Sequence, residues 1–148
     1  MSARRLFLDA NVLISALRGP GVCADLLTGP ARGQYVAVVS PFVLAETVEV
    51  LARKFRTPGE DVREALAGLH LETVAEATIR AVRQAAKLVA DTDDAPVLAA
   101  ALQARVEALV TGDAHFFTPA AQARVRVLTP REAIDLITGQ SENEAQKP

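Results

Sequence analysis

Arg5-Leu6-Phe7-Leu8-Asp9-Ala10-Asn11-Val12-Leu13-Ile14 is the stretch that decides the fold. A short apolar run ends abruptly in a carboxylate, an amide follows two residues later, and apolar residues then return at helical spacing. The pattern describes a buried strand whose last residue, Asp9, stands at the C-terminal edge of a sheet, followed by a helix over 11–17. Ligands of open parallel sheets collect at that edge. A carboxylate that ends an apolar strand is costly to bury without partners, so other groups should meet it there.

Length and composition narrow the class. The 148 residues are half hydrophobic, with no Trp and one Tyr. That is the size of one ordinary domain and a composition suited to helices packed on a sheet. No apolar run approaches the roughly 20 residues that span a bilayer, and the N-terminus lacks a secretory apolar region with a cleavage site. A soluble cytoplasmic protein is expected. Cys23 is alone, which excludes an internal disulfide and a thiolate metal site. The net charge of -2 argues against a globally basic nucleic-acid coat but leaves room for a local basic groove.

Outward from the first strand, Gly19-Pro20-Gly21 breaks the helix, a small helical piece covers 22–27, and 35–39 is a β-branched run of strand length. Ser40-Pro41 opens a helix to about Phe55. Its buried stripe is expected at Ala45, Val48, Leu51, Ala52 and Phe55, with Thr47 and Glu49 on the polar face. A helix from Pro58-Gly59-Glu60 to about Leu69, a short strand over 71–74, and a helix over 78–90 with Ile79, Val82, Ala86 and Val89 on one face come next. The acidic run Asp91-Thr92-Asp93-Asp94 introduces a very apolar helix, 97–105. Strands are expected at 108–111 and 125–128, separated by a brief helical or turn segment over 115–123. Thr129-Pro130 caps a last helix to about Thr138, and 139–148 should be a disordered tail. Strands thus alternate with helices, which argues for one α/β domain over 1–138: a parallel sheet flanked by helices on both faces.

Asp9 and Asp113 each directly follow a buried strand, Glu46 follows the second strand by way of a helix start, and Asp94 lies at the start of the apolar helix. If the strand order reverses between the first strand and the one before Asp113, a crevice opens there in which all four acids can converge. Carboxylates crowded in a partly buried crevice repel one another unless a cation is present. Oxygen-only ligand sets suit Mg²⁺ or Mn²⁺, and such ions promote in-line displacement at phosphodiesters.

Leu-Asp-Ala-Asn-Val-Leu-Ile-Ser at 8–15, Glu46 in Leu-Ala-Glu-Thr-Val, Asp93-Asp94 before a run of Val, Leu and Ala, and Val-Thr-Gly-Asp at 110–113 together resemble the PIN-domain family. The likeness is to the VapC kind, the toxins of type II toxin-antitoxin systems. It extends over about residues 4–137 and implies a five-stranded parallel sheet, an acidic Mg²⁺ or Mn²⁺ site, endoribonuclease activity on RNA, homodimers and a small antitoxin partner. By position it makes Asp9, Glu46, Asp94 and Asp113 the catalytic and metal-holding residues. Asn11 and Thr111 become their polar neighbours, and Asp93 competes with Asp94 for the third acid. The chain departs from the family at Ala10 and Asn11, where a hydroxyl is common.

Plainer roles exist for the same residues. Asp93 or Asp94 could cap a helix, Asp113 could be a turn residue, and Glu46 could be solvated. His115 reads as a surface or packing histidine. Arg18 and the Arg53-Lys54-Phe55-Arg56 run fit either RNA phosphates or a helix end favoured by its dipole. The rival function is a catalytically silent module of the same fold that binds RNA or protein. A phosphatase using Asp9 as nucleophile would want a second Asp where Asn11 stands.

Overall fold

Leu6, Phe7 and Leu8 are all fully buried. Successive strand residues face opposite sides of a sheet, so both faces of this strand are covered. The computed structural model describes residues 3–139. Its strands are β1 (Arg5–Leu8), β2 (Val36–Val39), β3 (Leu71–Thr73), β4 (Ala108–Val110) and β5 (Arg126–Leu128). They form one all-parallel sheet in the order β3-β2-β1-β4-β5. The helices are α1 (Ala10–Arg18), α2 (Val22–Leu26), α3 (Pro41–Phe55), α4 (Gly59–Ala67), α5 (Ile79–Ala85), α6 (Ala95–Ala104), α7 (Pro119–Gln122) and α8 (Pro130–Thr138). This is the expected α/β architecture.

The chain lays β1, β2 and β3 side by side in one direction, then crosses back to place β4 on the other side of β1 and β5 beyond it. The order therefore reverses between β1 and β4, where a crevice opens at the C-terminal edge. Asp9 lies one residue past β1 and caps α1, so strand passes into helix without a loop.

Local chemistry explains the helix starts. Ser40, Thr118 and Thr129 accept backbone N–H bonds ahead of Pro41, Pro119 and Pro130, and Thr129 with Glu132 completes a capping box. The most deeply seated helix is α6, buried at Ala95 and from Val97 to Ala101. Its small side chains let it lie close under its neighbours.

Two helical faces differ from expectation. In α3 the buried stripe is Val43, Thr47 and Leu51, while Ala45, Ala52 and Phe55 are exposed. Thr47 can be buried because its hydroxyl donates to the Val43 carbonyl one turn earlier, 2.8 Å away, so no polar atom is stranded. Helix α5 is shorter than expected, because residues 86–90 form turns. It buries Ala85 and leaves Ile79 73% exposed. The expected tail at 139–148 lies outside the described residues except for Gly139, whose left-handed conformation (φ 74) ends α8. Among the described residues no single helix is long and apolar enough to cross a membrane.

Truncating Leu98, fully buried in α6, should destabilise the fold by about 2–5 kcal/mol as L98A. Urea denaturation should show a lower midpoint at unchanged slope.

Candidate active site

The β1/β4 ladder pairs Leu8 with Val110, so Asp9 and Thr111 stand side by side just past its end. The Asp9 N–H donates to the Val110 carbonyl at 3.0 Å and extends the ladder by one step. Its carboxylate is then held from three directions. Oδ1 accepts the Ala10 N–H at 2.8 Å. Oδ2 accepts both the Asn11 amide and the Thr111 hydroxyl at 2.9 Å.

Asn11 binds the two strand ends to each other. Its amide nitrogen also reaches Thr111 Oγ1 at 3.2 Å, and its Oδ1 accepts the Gly112 N–H at 2.9 Å. Thr111 Oγ1 in turn accepts the Asp113 N–H at 3.0 Å. Asp113 caps the turn over 114–116 by accepting the His115 N–H at 2.9 Å, and the same oxygen lies 3.3 Å from His115 Nδ1.

Asp94 ends a 3₁₀ turn (Thr92–Asp94) immediately before α6, and its side chain makes no capping bond. The cap is Asp91, whose carboxylate accepts the Asp93 N–H at 2.9 Å, while the Asp93 side chain is exposed. Asp94 Oδ2 is buried without a hydrogen-bond partner among the described residues. Glu46 is half-buried in the middle of α3.

Electrostatics shows which groups are neighbours. Burial raises the Asp9 pKa, opposed by the bonds from Thr111, Ala10 and Asn11, and Asp113 raises it further. Glu46 is raised by burial and then by Asp9, Asp94 and Glu49. Asp94 is pushed up to about 6 by burial and then by Asp113, Asp91 and Asp9, with His115 acting in the opposite sense. The structure thus brings Asp9, Glu46, Asp94 and Asp113 into one repelling group at the β1/β4 switch and leaves Asp93 at its margin.

Two further residues join this group. Ligand atoms of Asp91, Asp94 and His115 all lie within 4.8 Å of one another. A 3₁₀ turn nearly eclipses positions three apart, which sets Asp91 over Asp94. The acidic run contains this relation, but read as an α-helix start it stays hidden. The donor set is carboxylate oxygen with one imidazole, it includes an oxygen of Asp94 that is buried without a partner among the described residues, and the Asp91 carboxylate raises the Asp94 pKa. These properties fit a hard divalent cation.

Removing Asn11 deprives the buried Asp9 carboxylate of a donor and releases the Gly112 N–H from α1. N11A should cost about 1–3 kcal/mol by chemical denaturation. The raised carboxyls set the sign of a pH effect. In the window between the unfolded pKa near 4 and the folded value near 6 the native state holds more protons, so metal-free stability falls as pH rises through it. D94N should flatten that decline and melt a few degrees higher than wild type at pH 7.5 without divalent ions, as read by thermal melts across pH.

A family model of the PIN domain matches residues 5–115. No curated protein matches the sequence significantly. Among solved structures, the chain is similar to a toxin-antitoxin complex from Klebsiella pneumoniae, with 22% identity and a TM-score of 0.58 over 84% of this chain and 97% of that one. It is similar to VapBC2 from Rickettsia felis, solved with a DNA fragment from its promoter, with 15% identity and a TM-score of 0.62 over 84% and 98%. It is also similar to VapC20 from Mycobacterium tuberculosis, a sarcin-ricin loop cleaving toxin, with 18% identity and a TM-score of 0.58 over 83% and 98%. At these identities the structural likeness is one of fold, and the family match covers both strand ends that carry the acids. The chain belongs to the PIN-domain family.

Proposed function

We propose that the protein is a Mg²⁺- or Mn²⁺-dependent endoribonuclease, the toxin of a type II toxin-antitoxin pair, that hydrolyses RNA phosphodiester bonds. One observation carries this reading: four carboxylates from four separate elements share a crevice in which Asp113 raises the pKa of Asp9 and Asp94, and Asp9 and Asp94 raise that of Glu46, while one buried oxygen, Asp94 Oδ2, has no partner among the described residues. A fold gains nothing from that arrangement, whereas a cation site requires it. Support for the biological setting comes from the solved neighbours, which include a toxin-antitoxin complex and a sarcin-ricin loop cleaving toxin.

In this reading Asp9, Glu46, Asp94 and Asp113 are the catalytic residues and hold the metal, and Asp94 rather than Asp93 is the third acid. A bound cation supplies the positive charge that steadies the attacking and leaving oxygens of an in-line displacement. Asn11 and Thr111 fix Asp9, so its carboxylate is already oriented before substrate arrives. Asp113 is aimed by its own backbone bond to Thr111. Glu46 accepts no hydrogen bond from the described residues and its pKa is raised, which suits it to take the proton of the attacking water. The water oxygen bonds to phosphorus as the ester bond breaks, the water's proton passes to Glu46, and the leaving oxygen takes up a proton from solvent. A small antitoxin, a homodimeric state and a cytoplasmic location belong to the same proposal.

D9N and D94N should each lower metal-dependent RNA cleavage by at least about a hundredfold and relieve growth inhibition on expression. Wild-type rates from either purified variant would overturn the assignment.

A further inference from the structure

Helices α1 and α3 both lead away from the acid cluster, and each carries a stripe that begins at the cluster and ends in a cation. On α1 the stripe is Asn11, Ser15 and Arg18, and on α3 it is Glu46, Val50 and Lys54, at the spacings of four and three or four that share a helix face. Between the two stripes lies a cavity of about 530 Å³ lined by Asn11, Ser15, Arg18, Val50, Lys54 and Phe55. Its inner end is Asn11, the residue bonded to Asp9. At its outer end Phe55 is 40% exposed, and the Arg18 guanidinium lies over its ring, 3.8 Å from the centroid.

Helix dipoles favour cations at these two C-termini in any case, but they do not account for an exposed aromatic ring between them. Neither Arg18 nor Lys54 forms a salt bridge with a carboxylate among the described residues, whereas the adjacent Arg53 lies 3.8 Å from Glu49. Along the helix axes the cations lie about 12–14 Å from Asp9 and Glu46, within the reach of a few nucleotides. A flat guanidinium-aromatic pair beside a free ammonium is the combination that holds single-stranded nucleic acid: a base stacks on the planar groups and a phosphate meets the charge.

We infer that the α1/α3 groove is the entry track for single-stranded RNA, in which an unpaired base stacks on the Arg18–Phe55 platform and Lys54 holds a neighbouring phosphate as the strand runs past Asn11 to the carboxylates. This rests on the nuclease reading and adds to it the side from which the strand approaches and the residues of this chain that hold it. Bases stacked inside an A-form duplex cannot reach Phe55, so paired RNA should be excluded from the platform.

The test is fluorescence anisotropy with a labelled mixed-sequence single-stranded RNA of about a dozen nucleotides, in EDTA so that nothing is cleaved. F55L should bind roughly tenfold more weakly than wild type, the loss of about one stacked base. K54Q should weaken binding and reduce its salt dependence by about one phosphate contact. K87Q, which removes an exposed cation outside the cavity, should change neither. D9N should bind at least as tightly as wild type in EDTA and fail to cleave the same RNA once Mg²⁺ is restored, which separates the groove from the chemistry. Wild-type affinity in both F55L and K54Q, with melting temperatures unchanged, would overturn the groove and leave the cleavage result for D9N standing on its own. Equal affinity for a perfectly paired duplex of the same sequence would overturn the single-strand assignment. Cleavage unaffected by D9N would instead remove the nuclease reading beneath both.

Discussion

Asp9 is a carboxylate buried where two parallel strands meet at the reversal of strand order, and much of the molecule answers to keeping it there. Its charge is expensive to bury and is made tolerable by three donors from three residues. Two of them, the Ala10 N–H and the Asn11 amide, come from the helix that starts at once. The third, Thr111, comes from across the β1/β4 ladder. The register that seats Leu8 against Val110 is what lets those groups converge. A slip of one residue in either strand would leave Asp9 and Thr111 on opposite faces of the sheet. Strand pairing and site geometry are therefore a single constraint.

The strands were legible because apolar, β-branched runs bounded by Gly, Pro and Ser have few other readings, and strand-helix alternation leaves few topologies. Asp9 and Asp113 were legible for a related reason, since an acid that closes a buried strand is conspicuous. Helical faces were harder to read. Helix α3 has more apolar residues than one face can use, Ala is nearly neutral about burial, and Thr47 looks polar until its hydroxyl finds the Val43 carbonyl. The exposed Ile79 shows the same limit, because α5 packs through Ala85 and is too short to present the anticipated stripe.

Pairings across the chain were beyond periodicity. The sequence contains Asn11 and Thr111 one hundred residues apart, and only the register makes one a bonding partner of the other. Asp91 and His115 likewise enter the acid group through a 3₁₀ turn and a capped turn, whose geometry depends on backbone detail. The Arg18–Phe55 stack needs two helices to meet at their C-terminal ends. Residue types and their order suffice to suggest a chemistry, whereas the side from which a substrate approaches is a property of packing.

The elevated Asp94 carboxyl has a consequence for how ions are taken up. With a midpoint near 6 it retains a proton over a range in which an ordinary aspartate has lost it. A divalent ion settling on this oxygen would compete with that proton. Uptake is then an exchange of one cation for a fraction of a proton, a fraction that shrinks as the medium becomes alkaline. Acidification by a single unit around neutrality would raise the competition at this carboxyl and weaken ion occupancy. The crowding of acids would in this way link the ionic state of the crevice to the acidity of its surroundings.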